Sequence, residues 1–186
     1  GELAVIVDAG MREMMVEQQD VFYYVTLMNE NYAQPDLPEG AAEGVLRGGY
    51  KFASYGPSAG QRVTLMGSGA ILTEVVKAAE QLAEQGVGVD VLSITSWSEL
   101  ARDGAAQTSA YLHQLLVGTQ GPVIAASDYV RAVPESIRAW LPAGRAYTTL
   151  GTDGFGRSDT RSALRAFFGV DAASIKTAAL AVLAPG

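Results

Sequence analysis

The chain has 186 residues, 48% hydrophobic and 18% charged, with 13 Lys and Arg against 20 Asp and Glu and a formal charge of −7. That suffices for one domain with a sizeable core or one domain plus part of another, and the composition excludes disordered, collagenous and coiled-coil classes. The absence of cysteine removes disulfides, thiolate metal sites and cysteine nucleophiles, while singly spaced arginines on a net acidic chain argue against a nucleic-acid partner.

Apolar residues at Leu3, Ile6, Val7, Met11, Met14 and Met15 predict a helix over Glu2–Gln18. It opens without a capping residue, as in a piece of a longer protein. Val21–Leu27, β-branched and aromatic, reads as a buried strand. Asn29–Gly40 has no period and holds Pro35 and Pro38, which marks a linker. From there the chain alternates. Strands are predicted at Val63–Met66, Val89–Ile94, Pro122–Ala126 and Ala146–Leu150.

Between them lie a clear amphipathic helix, Ile71–Gln85, stopped by Gly86, and a less regular helical stretch, Ser98–Val117. A further helix, Pro134–Leu141, has Pro at its first position. Two helices close the chain. Leu164, Phe167 and Phe168 share a face behind a cap at Ser158-Asp159, and Ile175, Ala179, Val182 and Leu183 share one behind Asp171. Strands joined through helices need right-handed crossovers, so the expected fold class is α/β, a three-layer, mostly parallel sheet covered on both faces. No window reaches the length of uninterrupted apolar residues that a membrane helix needs. A cytoplasmic protein without a membrane partner is expected.

Gly67-Ser68-Gly69 joins a strand to a helix, where backbone N–H groups can hold phosphate, but Leu72 stands where the dinucleotide fingerprint wants a small residue. A tight turn accounts for both glycines. Gly56-Pro57-Ser58-Ala59-Gly60 matches the hydrolase elbow, with Asp90 and His113 following in order, yet Ser58 precedes a strand instead of leaving one. It reads as a surface turn. His113, the single histidine, has no carboxylate beside it and reads as a half-buried structural residue on a helix. The carboxylates Asp8, Asp20, Asp36, Asp90 and Asp128 show no metal-ligand spacing.

The most individual stretch is Gly151–Arg161. Its three glycines permit unusual backbone, and Asp153, Arg157, Asp159 and Arg161 can pair at the carboxyl edge of the sheet, where partners sit in open α/β folds. Together with Phe155 these four form a candidate structural or interface loop, with at least one Asp accepting hydrogen bonds in a rigid turn.

Three stretches carry a resemblance together: Asp20–Tyr32, Pro35–Gly40 and Gly151–Arg161, supported by Met66–Gly69 and Ile94–Trp97. They resemble the homodimeric bacterial type of the pyruvate dehydrogenase decarboxylating component. The resemblance implies three successive α/β domains, the last like the C-terminal domain of transketolase. It implies thiamine diphosphate and magnesium held by the first two domains, and transfer of the acetyl unit to lipoyl groups of a dihydrolipoyl acetyltransferase in a multienzyme complex of pyruvate metabolism.

On this reading residues 1–45 are the closing helix and strand of the thiamine-binding middle domain plus a linker. Residues 46–186 are the transketolase C-terminal-like domain. No residue here matches the family's catalytic, thiamine or magnesium motifs, so the expected role is non-catalytic scaffold, inactive alone and bound to the remainder of the parent chain. One departure is the stretch Arg102–Gly118, shorter and richer in alanine than the family pattern. The alternative is a stand-alone small-anion or partner-binding module of the same fold. The segment from Gly1 to about Gly40 is expected to pack against something other than the middle domain to which the resemblance assigns it, or to be poorly ordered, and its unpaired strand to invite association with a second copy.

Overall fold

A computed structural model describes residues 1–106 and 110–184. Five strands make one sheet: β1 (Gly49–Tyr55), β2 (Arg62–Ser68), β3 (Gly88–Ile94), β4 (Val123–Ala126) and β5 (Tyr147–Leu150). Their order is β1-β3-β2-β4-β5. Pairings β2–β3, β2–β4 and β4–β5 are parallel and β1–β3 is antiparallel. Every residue of β3 is buried. Both faces of β3 are covered, so even its polar residues Asp90 and Ser93 are buried beside Val89, Val91, Leu92 and Ile94.

The helices are α1 (Glu2–Met11), α2 (Ala42–Leu46), α3 (Leu72–Ala83), α4 (Trp97–Ala106), α5 (Tyr111–Leu116), α6 (Ala132–Glu135), α7 (Arg161–Phe168) and α8 (Ala172–Leu183). Side chains on successive strand residues point to opposite faces, and two cores result. On one face Val63, Leu65, Val89 and Val91 pack with Val75 and Leu82 of α3 and Ile175 and Ala179 of α8. On the other, Met66, Leu92 and Ile94 pack with Trp97 and Leu100 of α4, Leu112 of α5 and Ile137. The three-layer, mostly parallel architecture follows. The apolar run Arg161–Leu183 is long enough by composition to cross a bilayer, but left-handed Gly169 (φ 69°) divides it into α7 and α8.

Several expectations are corrected. β1 and α2 were not legible, because β1 is an edge strand whose Lys51 and Ser54 turn toward a buried carboxylate instead of following an apolar alternation. The helical stretch 98–117 is answered by α4 and α5, with residues 107–109 outside the described residues. Pro134 is the third residue of α6, not the first, and a 3-10 turn over Arg138–Trp140 follows; the first turn has no intrahelical use for a proline N–H, so it accepts proline at more than one position. Thr160, not Asp159, caps α7, accepting from the backbone N–H of Ala163. Asp171 caps α8 as expected.

Val21–Leu27 takes no regular secondary structure and is not a strand. Strand propensity sets backbone dihedrals, whereas a ladder needs a second strand, and none among the described residues pairs with it. The N-terminal segment packs on residues 46–186, something other than the middle domain to which the resemblance assigns it. Glu2 accepts hydrogen bonds from Tyr50 Oη (2.9 Å) and Ser93 Oγ (2.6 Å), Ala9 and Gly10 are buried, and α1 packs on α2. Polar side chains supplied by β1 and β3 tie that helix down.

Candidate functional site

The chain leaves β2 for β3 on one side and reaches β4 on the other, so the topological switch point lies between the carboxyl ends of β2 and β4. That crevice is filled. Buried Ser68 Oγ donates to buried Ser127 Oγ at 3.0 Å, and Ser127 Oγ accepts from the backbone N–H of Tyr129 at 3.2 Å. A Cβ on Gly67 would stand 2.8 Å from Val75 Cγ2 and 3.0 Å from Leu72 Cα. This glycine therefore serves the approach of α3 to β2, and the Gly67-Ser68-Gly69 turn is structural. Asp128 beside it is pushed up by burial, opposed by Arg165, although its side chain still reaches water.

Ser58 is exposed in a bend ahead of β2, as its sequence context suggested. Asp90 is committed elsewhere, to Arg62 Nη2 (2.8 Å), Lys51 Nζ (2.9 Å) and Ser54 Oγ (2.8 Å). His113 is exposed on α5, not half-buried, because Leu112, Leu115 and Leu116 take the inward face of that short helix. A hydrolase triad is not assembled. Among the described residues no three His, Asp or Glu side chains gather as a metal site.

The loop after β5 is built. Thr152 donates its N–H to Tyr129 O (2.9 Å) and its hydroxyl to Asp128 O (2.6 Å). Asp153 accepts from the backbone N–H of Arg131 (2.8 Å) and from Arg131 Nε (2.6 Å), and the two together hold its carboxyl below the usual range. A Cβ on Gly151 would meet Tyr129 O at 2.6 Å and Arg131 N at 2.8 Å, so only glycine lets the two loops close on each other. Arg157 lies over the Phe167 ring, 4.1 Å from its centroid. Asp159 Oδ1 accepts from Thr160 N at 2.7 Å. Phe155 is 95% exposed.

Arg161 of this loop reaches back to Glu30 and Asn29 in the linker. One turn on, Arg165 pairs with Glu74 Oε1 at 3.1 Å and donates to Tyr32 Oη at 2.9 Å. Tyr129 donates to Thr26 Oγ1 at 2.7 Å. Four of the five candidate residues thus act through contacts within the chain, and one of them, Arg161, binds segment 26–32 to the carboxyl edge with help from Tyr129 and Arg165. Sequence reasoning missed Glu30, Tyr32, Tyr129, Arg131 and Arg165, which lack any local signal of their role.

Residues 48–171 match the family model described as the transketolase-like TK C-terminal domain, and residues 1–35 match the pyruvate dehydrogenase E1 component middle domain. Among curated relatives, the pyruvate dehydrogenase E1 component of Pseudomonas aeruginosa is 47% identical and that of Escherichia coli K12 is 46% identical, each over 98% of this chain. The chain spans 22% of the length of either and aligns to their C-terminal part. Transketolases from Campylobacter jejuni and Leishmania mexicana share the fold, both with TM-score 0.54. They are 21% and 22% identical over 73% and 77% of this chain, and 18% and 20% of theirs.

Proposed function

The chain belongs to the transketolase-like C-terminal domain family, and from that premise we propose that it is the C-terminal, non-catalytic scaffold of a thiamine-diphosphate-dependent pyruvate dehydrogenase component. The longer enzyme decarboxylates pyruvate and transfers the acetyl unit to lipoyl groups of a dihydrolipoyl acetyltransferase, as a cytoplasmic homodimer in a multienzyme complex. Residues 1–45 close its thiamine-binding middle domain and supply the linker, and residues 46–186 are its third domain.

The observation that carries this reading is the use made of the carboxyl edge. Where an independent α/β module would hold a ligand, Tyr129, Arg161 and Arg165 instead hold Thr26, Glu30 and Tyr32. Exposed Met15, Val16, Phe22, Tyr24 and Leu27 fit a surface that the rest of a middle domain covers.

The residues present do not fit the cofactor. Its magnesium needs converging oxygen ligands, and no carboxylate cluster exists among the described residues. Its diphosphate needs open N–H groups or free cations, yet the switch-point turn is closed by Ser68 and Ser127. The alternative, a small-anion module, would use the 450 Å³ hollow lined by Thr160, Arg161, Ser162 and Arg165; there both guanidinium groups already face Glu30 and Glu74.

Calorimetry with thiamine diphosphate and pyruvate-dependent dye reduction test the proposal on the chain alone. No binding and no turnover are expected. Micromolar thiamine diphosphate binding, or turnover above background, overturns it.

A further inference from the structure

We propose that the Gly151–Arg161 loop is a contact between two copies of this chain, in which Phe155 of each enters the groove beside the same loop of the other. This rests on, and deepens, the homodimer part of the preceding reading.

The loop is anchored at both ends and bare at its tip. Thr152 and Asp153 are fixed to the 128–131 loop on one side, and Asp159 to the N-terminus of α7 on the other. Between them Gly154 (φ 90°) and Gly156 have nothing within 4 Å of a built Cβ. Phe155 stands on this turn in water. A large aromatic ring gains nothing from such a position in a monomer, and its presentation on a preorganised loop removes much of the ordering cost of binding.

Beside the loop runs a groove of roughly 670 Å³, walled by Leu150, Asp153, Phe167 and Phe168 on one side and by Thr177 and Ala181 of α8 on the other. Phe167 is itself exposed, with Arg157 stacked on it. Knob and groove share one loop, so a two-fold axis near Gly154–Gly156 fills both grooves at once, the self-complementary arrangement of an isologous dimer.

Charge favours the same occupant. The chain carries −7, which repels a second copy over most of its surface, but here Arg131 and Arg157 balance Asp153 and Asp159. Two copies meet at a neutral patch. If each ring buries roughly 200 Å² and covers as much groove wall, the pair buries about 800 Å². That lies at the low end for specific interfaces and fits a weak, concentration-dependent dimer.

Sedimentation velocity on the full chain, from low micromolar to several hundred micromolar, reads the association. Phe155→Ser is expected to weaken it about 30-fold, as for a central aromatic anchor, and Thr177→Arg to do the same from the groove side. Both should keep the wild-type melting temperature. With p-benzoylphenylalanine at position 155 in a mixture of light and heavy chains, the cross-link should join light to heavy within α7 or α8. Undiminished dimer in Phe155→Ser overturns the contact while leaving a homodimer through another face. Loss of dimer only in the Phe22→Ser/Tyr24→Ser double variant likewise overturns it, in favour of the N-terminal surface. A wild-type chain that stays monomeric throughout also overturns it, leaving a homodimer of the longer chain to its other surfaces.

Discussion

Asp90→Asn removes the charge at the centre of the sheet's polar cluster while keeping the side chain's shape. Asp90 is 1% exposed, and Arg62, which it binds at 2.8 Å, is 10% exposed. Lys51 is 48% exposed and can turn to water, so its part is small. Removing one member of a buried pair costs about 3–5 kcal/mol; with Ser54 still able to bond an amide oxygen, the lower end applies, about 3 kcal/mol. For a chain of this length that is a fall of roughly 6–12 °C in melting temperature.

Burial alone would raise the Asp90 pKa, but hydrogen bonds from Lys51, Arg62 and Ser54 outweigh it and leave the group below its ordinary value of 3.8. A carboxylate with a depressed folded pKa stabilises fully above its unfolded pKa, and that contribution is lost as pH falls through the folded value. The gap between wild type and Asp90→Asn, read by urea denaturation, should therefore be constant from neutral pH down to about 4 and close below it. A gap under 1 kcal/mol at neutral pH, or one that persists unchanged into strong acid, refutes the reasoning.

Glu74→Ala should cost about 3 kcal/mol by urea denaturation, because it strips Arg165 of its partner and leaves the N–H of Ala172 at the start of α8 without the acceptor it has at 3.1 Å. Gly121→Ala should destabilise more than any exposed-loop change: φ is 75° and the new Cβ would fall 1.8 Å from Arg62 O, a backbone atom that cannot yield, so expression with wild-type melting contradicts the packing described. Asp153→Ala should leave the melting temperature within error, since the pair with Arg131 is exposed, yet raise deuterium uptake across residues 151–157; unchanged uptake means that Asp153 does not order the loop.

Legibility in the sequence followed the distance over which each signal acts. The strand cores around Val63–Met66 and Val89–Ile94 and the stripe of α3 with its Gly86 stop are local patterns, and they fold as read. β1 is different: Lys51 and Ser54 have their places because Asp90 of the adjacent strand is buried there, and a carboxylate 36 positions away from Ser54 leaves no mark on the local pattern. The same holds at the candidate site. Three glycines and paired charges announced the Gly151–Arg161 loop, but Asp153 meets an Arg 22 positions earlier and Arg161 meets a Glu 131 positions earlier. Only the assembled sheet brings those partners together.

Segment 21–28 separates what local chemistry decides from what a neighbour decides. Over Val21–Val25 its exposures alternate, with Val21, Tyr23 and Val25 each at 40% against 87% for Phe22 and 85% for Tyr24, so the two-residue period of a strand survives there without a ladder and ends before Leu27, which is 70% exposed. The inner column leans on this chain: the Tyr23 ring lies against Gly10, where a built Cβ would stand 3.0 Å from it, and its hydroxyl donates to Glu13 at 2.8 Å. Of the outer column, Phe22 and Tyr24 have no such cover, while Thr26 accepts from Tyr129. β-Branched and aromatic residues thus keep a strand-like alternation over Val21–Val25, while strand identity waits on a second edge. Because Thr26, Glu30 and Tyr32 then bind the carboxyl edge and Glu2 binds β1 and β3, whatever pairs with the outer column is held in fixed relation to this sheet. Joining two surfaces rigidly is a task that needs no catalytic residue.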